Sequence, residues 1–156
     1  MPKITVDQQN LSPDIVDFLH TENIFNNIEY LSDALDGKYP RLHFIVDESG
    51  TTVGVAKVLF VTGRWILHQL DSDERNDLKF LLSSETGYLF ISMINIFPRF
   101  QRKGFGGEFI NWIKMNSNGK TVILHPADTV EYWEKQGFDY IGKKSWYLYW
   151  NESNKF

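Results

Sequence analysis

Residues 94–115, INIFPRFQRKGFGGEFINWIKM, bring together the side chains best spaced to do chemistry. An apolar run breaks at Pro98, turns basic through Arg99, Gln101, Arg102 and Lys103, and becomes glycine-rich at 104, 106 and 107. Glycine lets a backbone come close to another group with no Cβ in the way. The first turn of a helix offers N–H groups that lack intrahelical acceptors, at the positive end of the helix dipole. Strand, basic glycine turn and helix in that order therefore describe an anion cradle suited to a pyrophosphate. Arg102 and Lys103 would add charge at its rim, and Gln101 a neutral donor. Two common phosphate loops are absent: GxxxxGK[ST] does not occur, and GFGGEF fails to complete GxGxxG because Phe109 stands at its last position. What remains is Q-x-x-G-x-G with one added glycine. The competing reading is a solvated basic turn that only caps a helix.

The flanking pattern says what must position this turn. Residues 88–97 are apolar too densely for a half-exposed strand, which places them centrally in a sheet. Phe105, Phe109, Trp112 and Ile113 fall on one face of a helix. KTVIL (120–124) reads as the next strand. Asp128 followed by Glu131 has the form of a capping box, opening a short helix that stops at Gly137. FDYIG and SWYLYW then read as two strands.

Upstream, KITV (3–6) is a strand, and Ser12-Pro13-Asp14 opens a helix with a hydroxyl cap, a first-turn proline and an acid. Ile24, Ile28, Leu31 and Leu35 recur at helical spacing and stop near Gly37. Residues 41–61 form a hairpin about a turn at 47–50. Residues 62–86 mix a strand-or-helix stretch, RWILHQL, with a helix in SDERNDLKFLLSS. The reading is one domain over residues 1–156.

Bulk properties narrow the classes. The chain has 156 residues, 42% hydrophobic and 15% aromatic, enough for a packed core without staples. With no cysteine there is neither a disulfide scaffold nor a thiol nucleophile, which fits a reducing compartment. His20, His43, His68 and His125 are scattered, so no metal centre is expected. A net charge of −4 argues against a nucleic-acid binder. The opening MPKITVDQQN lacks the layout of a signal peptide, and no window approaches about 18 apolar residues, so a cytoplasmic protein without a membrane partner is expected.

In this context IFPRFQRKGFG resembles motif A of the GNAT superfamily of acyl-CoA N-acyltransferases, where an apolar strand leads through a proline to [Q/R]-x-x-G-x-[G/A]. VEYWEKQGFDYIG is similar to that family's second hallmark, a short helix of the form F-Y-E-K-x-G-F before a strand. The likeness is specific over residues 88–142. It implies a single-domain α/β fold whose central mixed sheet, with helices on both faces, splays at the strand ending near Phe97. It also implies acetyl-CoA as cofactor. Ile94, Ile96 and Phe97 would offer backbone groups to pantetheine, and Gln101, Arg102, Lys103, Gly104, Phe105 and Gly106 would offer amides to pyrophosphate, with Gly107 nearby.

The resemblance implies transfer of an acetyl group to a primary amine of a small molecule or peptide. An N–H near Ile96 or Phe97 would meet the developing oxyanion. Many family members use a tyrosine on the downstream helix as acid for the thiolate. Here Trp133 takes that position, beside the cofactor, and Tyr132 comes one place earlier. An indole N–H is too weak an acid to give up its proton. For the base, the central strand offers Ser92 and no carboxylate; Glu85, His68 and His125 are the other candidates. Asp71, Asp73, Glu74 and Asp77 in the 62–86 segment read first as a solvated charged helix face, with drawing a cationic amine as the functional alternative. A non-catalytic acyl-CoA-binding module that has lost its acid is the alternative, and a homodimer is left open.

Overall fold

Asp47 closes the first organised feature. Its Oδ1 accepts from the N–H groups of Ser49 (2.9 Å) and Thr51 (3.0 Å), and Gly50 takes a φ of 85° that favours glycine. This turn joins strand β2 (Leu42–Asp47) to β3 (Thr52–Thr62), antiparallel as a hairpin about 47–50 predicts. The computed structural model describes residues 2–9, 12–22, 42–126, 129–143 and 145–156. The helical pattern from Ile24 to Leu35 and the residue Asp128 lie outside them.

The remaining strands are β1 (Ile4–Gln9), β4 (Gly87–Ile96), β5 (Val122–Leu124), β6 (Asp139–Tyr140) and β7 (Leu148–Trp150). They form one seven-stranded sheet in the order β1-β2-β3-β4-β5-β7-β6. The β4–β5 pair is parallel, whereas β1–β2, β5–β7 and β6–β7 are antiparallel, so the sheet is mixed and β4 is central. A parallel neighbour needs a crossover, and the helix at 105–115 supplies it.

Packing divides the chain into two units, Met1–Leu59 with Ser92–Trp112 and Phe60–Ile91 with Ile113–Phe156. In the first, helix α1 (Pro13–Thr21) starts where Ser12 Oγ accepts from the N–H of Ile15 at 3.3 Å, as the sequence leads one to expect. Leu19, Leu42, Phe44, Val55 and Phe97 form its core, with Ile15, Met93 and Phe100 packed against them. Gly54 is fixed by close approach, since a Cβ there would lie 2.7 Å from the carbonyl oxygen of Asn95.

In the second unit, the ambiguous RWILHQL resolves as helix α2 (Gly63–His68), capped by Thr62, whose hydroxyl accepts from the Trp65 N–H at 3.3 Å. Helix α3 (Ser72–Leu78) is capped by Asp71, which accepts from Glu74 N–H at 2.9 Å. It ends earlier than expected. The N–H groups of Leu81 and Leu82 both return to the Leu78 carbonyl, which closes a turn over 79–82 rather than extending the helix. The Asp77 carboxylate accepts from the N–H groups of Lys143 (3.1 Å) and Ser145 (2.9 Å), holding the loop before β7.

The central strand departs from the expected dense burial. Tyr88 and Ile91 are buried, Ser92 is exposed, and the other residues of β4 are half-buried. Among the described residues β5 accompanies β4 only at Leu89, Phe90 and Ile91, whereas β4 runs on to Ile96.

Candidate functional site

Pro98 ends β4. It has no N–H for a further ladder bond and opens a single 3-10 turn, Pro98–Phe100. The strand's last contact before it is the Phe97 N–H, which donates to the Val53 carbonyl at 2.9 Å, while the Phe97 carbonyl accepts from Phe100 N–H at 2.8 Å. The Phe97 ring is fully buried and meets Phe18 edge-on at 5.7 Å. Both backbone groups of Phe97 therefore have partners within the protein, and the residue anchors the strand end. Backbone polarity alternates along a strand, so Ile94 and Ile96 turn their N–H and C=O to the edge opposite Val53.

Gln101 differs from its expected role as a rim donor. Its side-chain Nε2 donates to the Ile96 carbonyl at 3.0 Å and its N–H to the Pro98 carbonyl at 3.3 Å. Both bonds fold the turn back onto the strand end. The glutamine shapes the cradle instead of lining it.

Beyond Gln101 the chain reverses through two left-handed residues, Arg102 (φ 62°) and Gly104 (φ 88°). For a residue with a Cβ this region costs roughly 1–2 kcal/mol, so Arg102 is strained. Such alternation is how backbone N–H groups are gathered into anion-binding concavities. Helix α4 (Phe105–Met115) follows, and its ladder begins with Glu108 N–H donating to the Gly104 carbonyl at 3.1 Å. The N–H groups of Phe105, Gly106 and Gly107 precede that first bond and have no intrahelical acceptor.

The turn's cations divide by partner. Arg99 bonds Glu22 at 2.6 Å, a carboxylate whose side chain is only 10% exposed, and lies 4.8 Å from the Phe100 ring centre. Lys103 lies farther off, 5.8 Å from the centre of the same ring. Phe105 packs edge-on against Phe100 at 6.4 Å, tying the helix start to the 3-10 turn. Arg102 and Lys103 are exposed, and neither is in an ion pair among the described residues. Arg99 is neutralised by Glu22, and Arg102 and Lys103 stay exposed at the turn.

The proton-handling candidates divide between the two units. Ser92 is exposed on β4 in the first unit. Glu85, in the second unit, forms an exposed ion pair with Arg64 at 2.5 Å. His68 is exposed, and His125 packs edge-on against Tyr147 at 5.0 Å. Helix α5 (Val130–Lys135) carries Tyr132 and Trp133. Its N-cap is Thr129, with no side-chain cap bond, and the expected capping box rests on Asp128, outside the described residues.

At its other end α5 closes as a Schellman motif. Phe138 N–H donates to the Trp133 carbonyl at 3.1 Å, Gly137 N–H donates to Glu134 at 3.0 Å, and Gly137 has a φ of 90°. The accompanying apolar contact is Trp133 against Phe138, 5.2 Å apart. Trp133 is 9% exposed. The Lys114 ammonium donates to the Gln136 carbonyl beside this stop, and burial lowers its pKa. Tyr132 is 41% exposed, and what burial it has pushes its hydroxyl above the usual tyrosine range.

From the sequence His43 has no role beyond that of one scattered histidine. It is 9% exposed on β2, with its ring edge-on to Phe109 (6.3 Å) and Trp112 (5.8 Å) of α4. Its Nδ1 is buried without a hydrogen-bond partner, and burial lowers its pKa. No spacing rule marks it, because both faces of β2 are covered.

By sequence, no protein-family model and no curated protein matches the chain. By structure, it is similar to the Bacillus subtilis N-acetyltransferase YlbP solved with coenzyme A, at 15% identity over 97% of this chain and 98% of that one, with a TM-score of 0.61. The fold is that of the GNAT acetyltransferases. GNAT-fold neighbours include Arabidopsis thaliana NAA60 in complex with acetyl-CoA, at 17% identity over 94% of this chain and 99% of that one, TM-score 0.59. They also include the spermidine/spermine N-acetyltransferase SpeG from Vibrio cholerae, at 17% identity over 97% and 94%, TM-score 0.56. Among the described residues no helix is long and apolar enough to cross a membrane.

Proposed function

We propose that the protein transfers an acetyl group from acetyl-CoA to a primary amine of a small molecule or peptide, by direct attack in a ternary complex. The observation that carries this is the turn itself: three first-turn N–H groups, at Phe105, Gly106 and Gly107, behind the left-handed pair Arg102 and Gly104. That arrangement suits a pyrophosphate. Coenzyme A or acetyl-CoA in two neighbours of the same fold gives the pyrophosphate a source.

The cradle fits the group on the chain's own geometry. A Cβ at Gly104 would stand 3.3 Å from Pro2 Cδ in a conformation that already disfavours side chains, so the backbone there is kept bare. Among the described residues Arg102 and Lys103 have no ion-pair partner, so they add charge there. The edge of β4 that carries Ile94 and Ile96 offers strand-like hydrogen bonds to an amide-containing arm, with Gln101 holding the Ile96 carbonyl in place.

Acetyl-CoA supplies a thioester carbonyl open to an amine. The Ile96 N–H is the donor for charge developing on that carbonyl oxygen, since the Phe97 N–H is already bonded to Val53. The attacking amine loses its proton to water. A departing thiolate of pKa about 8.5 leaves without a strong acid. Trp133, engaged with Phe138, contributes packing rather than a proton.

A second reading is favoured by Trp133 at the tyrosine position: a module that binds acyl-CoA and does not turn it over. Release of free thiol from acetyl-CoA, followed across spermidine and unblocked peptides, separates the two. Amine-dependent release establishes the transferase. Calorimetric binding of acetyl-CoA with no release for any amine establishes the module, and no binding removes both readings.

A further inference from the structure

We propose that the α2–α3 excursion holds a second site, for a small molecule bearing a dianionic phosphate group. The site is independent of the glycine turn. A cavity of about 230 Å3 is lined by Arg64, Leu67, His68 and Arg75.

The segregation of charge is the first argument. Residues 63–86 contain five acids (Asp71, Asp73, Glu74, Asp77, Glu85) against three cations (Arg64, Arg75, Lys79). Yet the cavity lining has both arginines, the histidine and none of the acids. Two acids have structural posts of their own, Asp71 as the α3 cap and Asp77 on the loop at 143–145. An acidic segment that gathers its arginines round one hollow presents a local positive field on a protein of net charge −4, offset in part where Glu85 pairs with Arg64.

Position is the second. Arg64, Leu67 and His68 are spaced i, i+3 and i+4, so they share one face of α2. Arg75 reaches that face from α3. Its Nε donates to the Leu67 carbonyl at 3.1 Å and its Nη2 to the Leu70 carbonyl at 2.9 Å. The Leu67 carbonyl belongs to the C-terminal end of α2, which would otherwise repel an anion, and Leu70 follows its cap. The same two bonds fix the guanidinium before any ligand arrives, which removes an ordering cost from binding. A guanidinium has five N–H donors, so Arg75 keeps three. Arg64 gives one nitrogen to Glu85 and keeps the rest.

Two guanidinium forks and an imidazole approach from two helices. A planar carboxylate is met by a single fork, whereas a tetrahedral phosphate dianion takes donors from all three directions. The cavity size admits a phosphate with a short substituent and excludes a polymer from being enclosed.

The test is an NMR titration of the full chain, following the His68 and His125 imidazole resonances at constant pH and ionic strength. Inorganic phosphate and glycerol 3-phosphate are the probes, with acetate and chloride as controls. The expected result is a saturable His68 shift with one or both phosphates by about 10 mM, little change at His125, and loss of the shift in Arg64→Gln. Stronger response to the ester identifies an ester ligand, and stronger response to inorganic phosphate identifies the free ion. An equal response to acetate overturns the assignment, as does no saturation or an undiminished shift in Arg64→Gln. Arg64→Lys, which keeps charge but loses the fork, should bind in between, a result that a merely destabilised helix would not give.

Discussion

The glycine turn at 101–107 and the glycine stop at 129–138 use the same residue type to opposite ends. At the stop, Gly137 and Phe138 N–H groups return to α5 carbonyls and Trp133 packs over them, so the helix end is satisfied internally. At the turn, Gly104 takes a similar left-handed conformation, but the N–H groups that follow it have no helical acceptor. One motif completes a fold and the other leaves donors for something else. The difference is one of direction along a helix: carbonyls at a C-terminus can be met by the chain's own next amides, whereas amides at an N-terminus need an acceptor from elsewhere.

The largest effect that could break this contrast belongs to Trp133→Ala. Removing a buried indole should cost about 3–5 kcal/mol in urea unfolding, with acetyl-CoA affinity of the folded protein kept. Lost affinity at unchanged stability would return Trp133 to the cofactor and erase the distinction. Next comes the pair Gly104→Ala and Gly137→Ala. Each forces a Cβ into the left-handed region and should lower stability by about 1–2 kcal/mol. Gly104→Ala should also weaken acetyl-CoA about tenfold by calorimetry, which is 1.4 kcal/mol, and Gly137→Ala should not. Equal affinities for the two variants would contradict the account.

How much of this was legible follows the same line. Strand, turn and helix at 88–115, the Asp47 turn, the Ser12 cap and the glycine stop were all readable, because each is marked by residue type at fixed spacing. The allocation of hydrogen bonds was not. Phe97 looked available until β3 was seen to take its N–H, and Gln101 looked like a rim donor until its amide was seen on Ile96. Partial burial of β4 was hidden too, since it depends on what packs over the sheet. These depend on partners distant in sequence. The two-helix excursion was half legible: its helices have caps, but the gathering of Arg64, His68 and Arg75 requires the turn between them.

The smallest effect concerns the helix that carries the turn. Burial holds the His43 pKa below its ordinary value, so the unfolded chain binds that proton more readily. Its contribution to stability is therefore intact above about pH 6.5 and falls as the solution is acidified. His43→Phe should flatten that acid slope and change stability by less than about 1.5 kcal/mol at pH 8, because a buried Nδ1 without a partner is replaced by a ring edge. An unchanged slope in thermal melts from pH 8 to 5 would place the titration elsewhere.

The most direct test of the central claim is an amide NMR titration with acetyl-CoA. The account predicts that the N–H resonances of Ile96, Phe105, Gly106 and Gly107 move together and saturate, while those of Phe97, Gly137 and Phe138 move little. Large shifts at Gly137 and Phe138 with residues 105–107 unmoved, or no saturable shift at all, would contradict it.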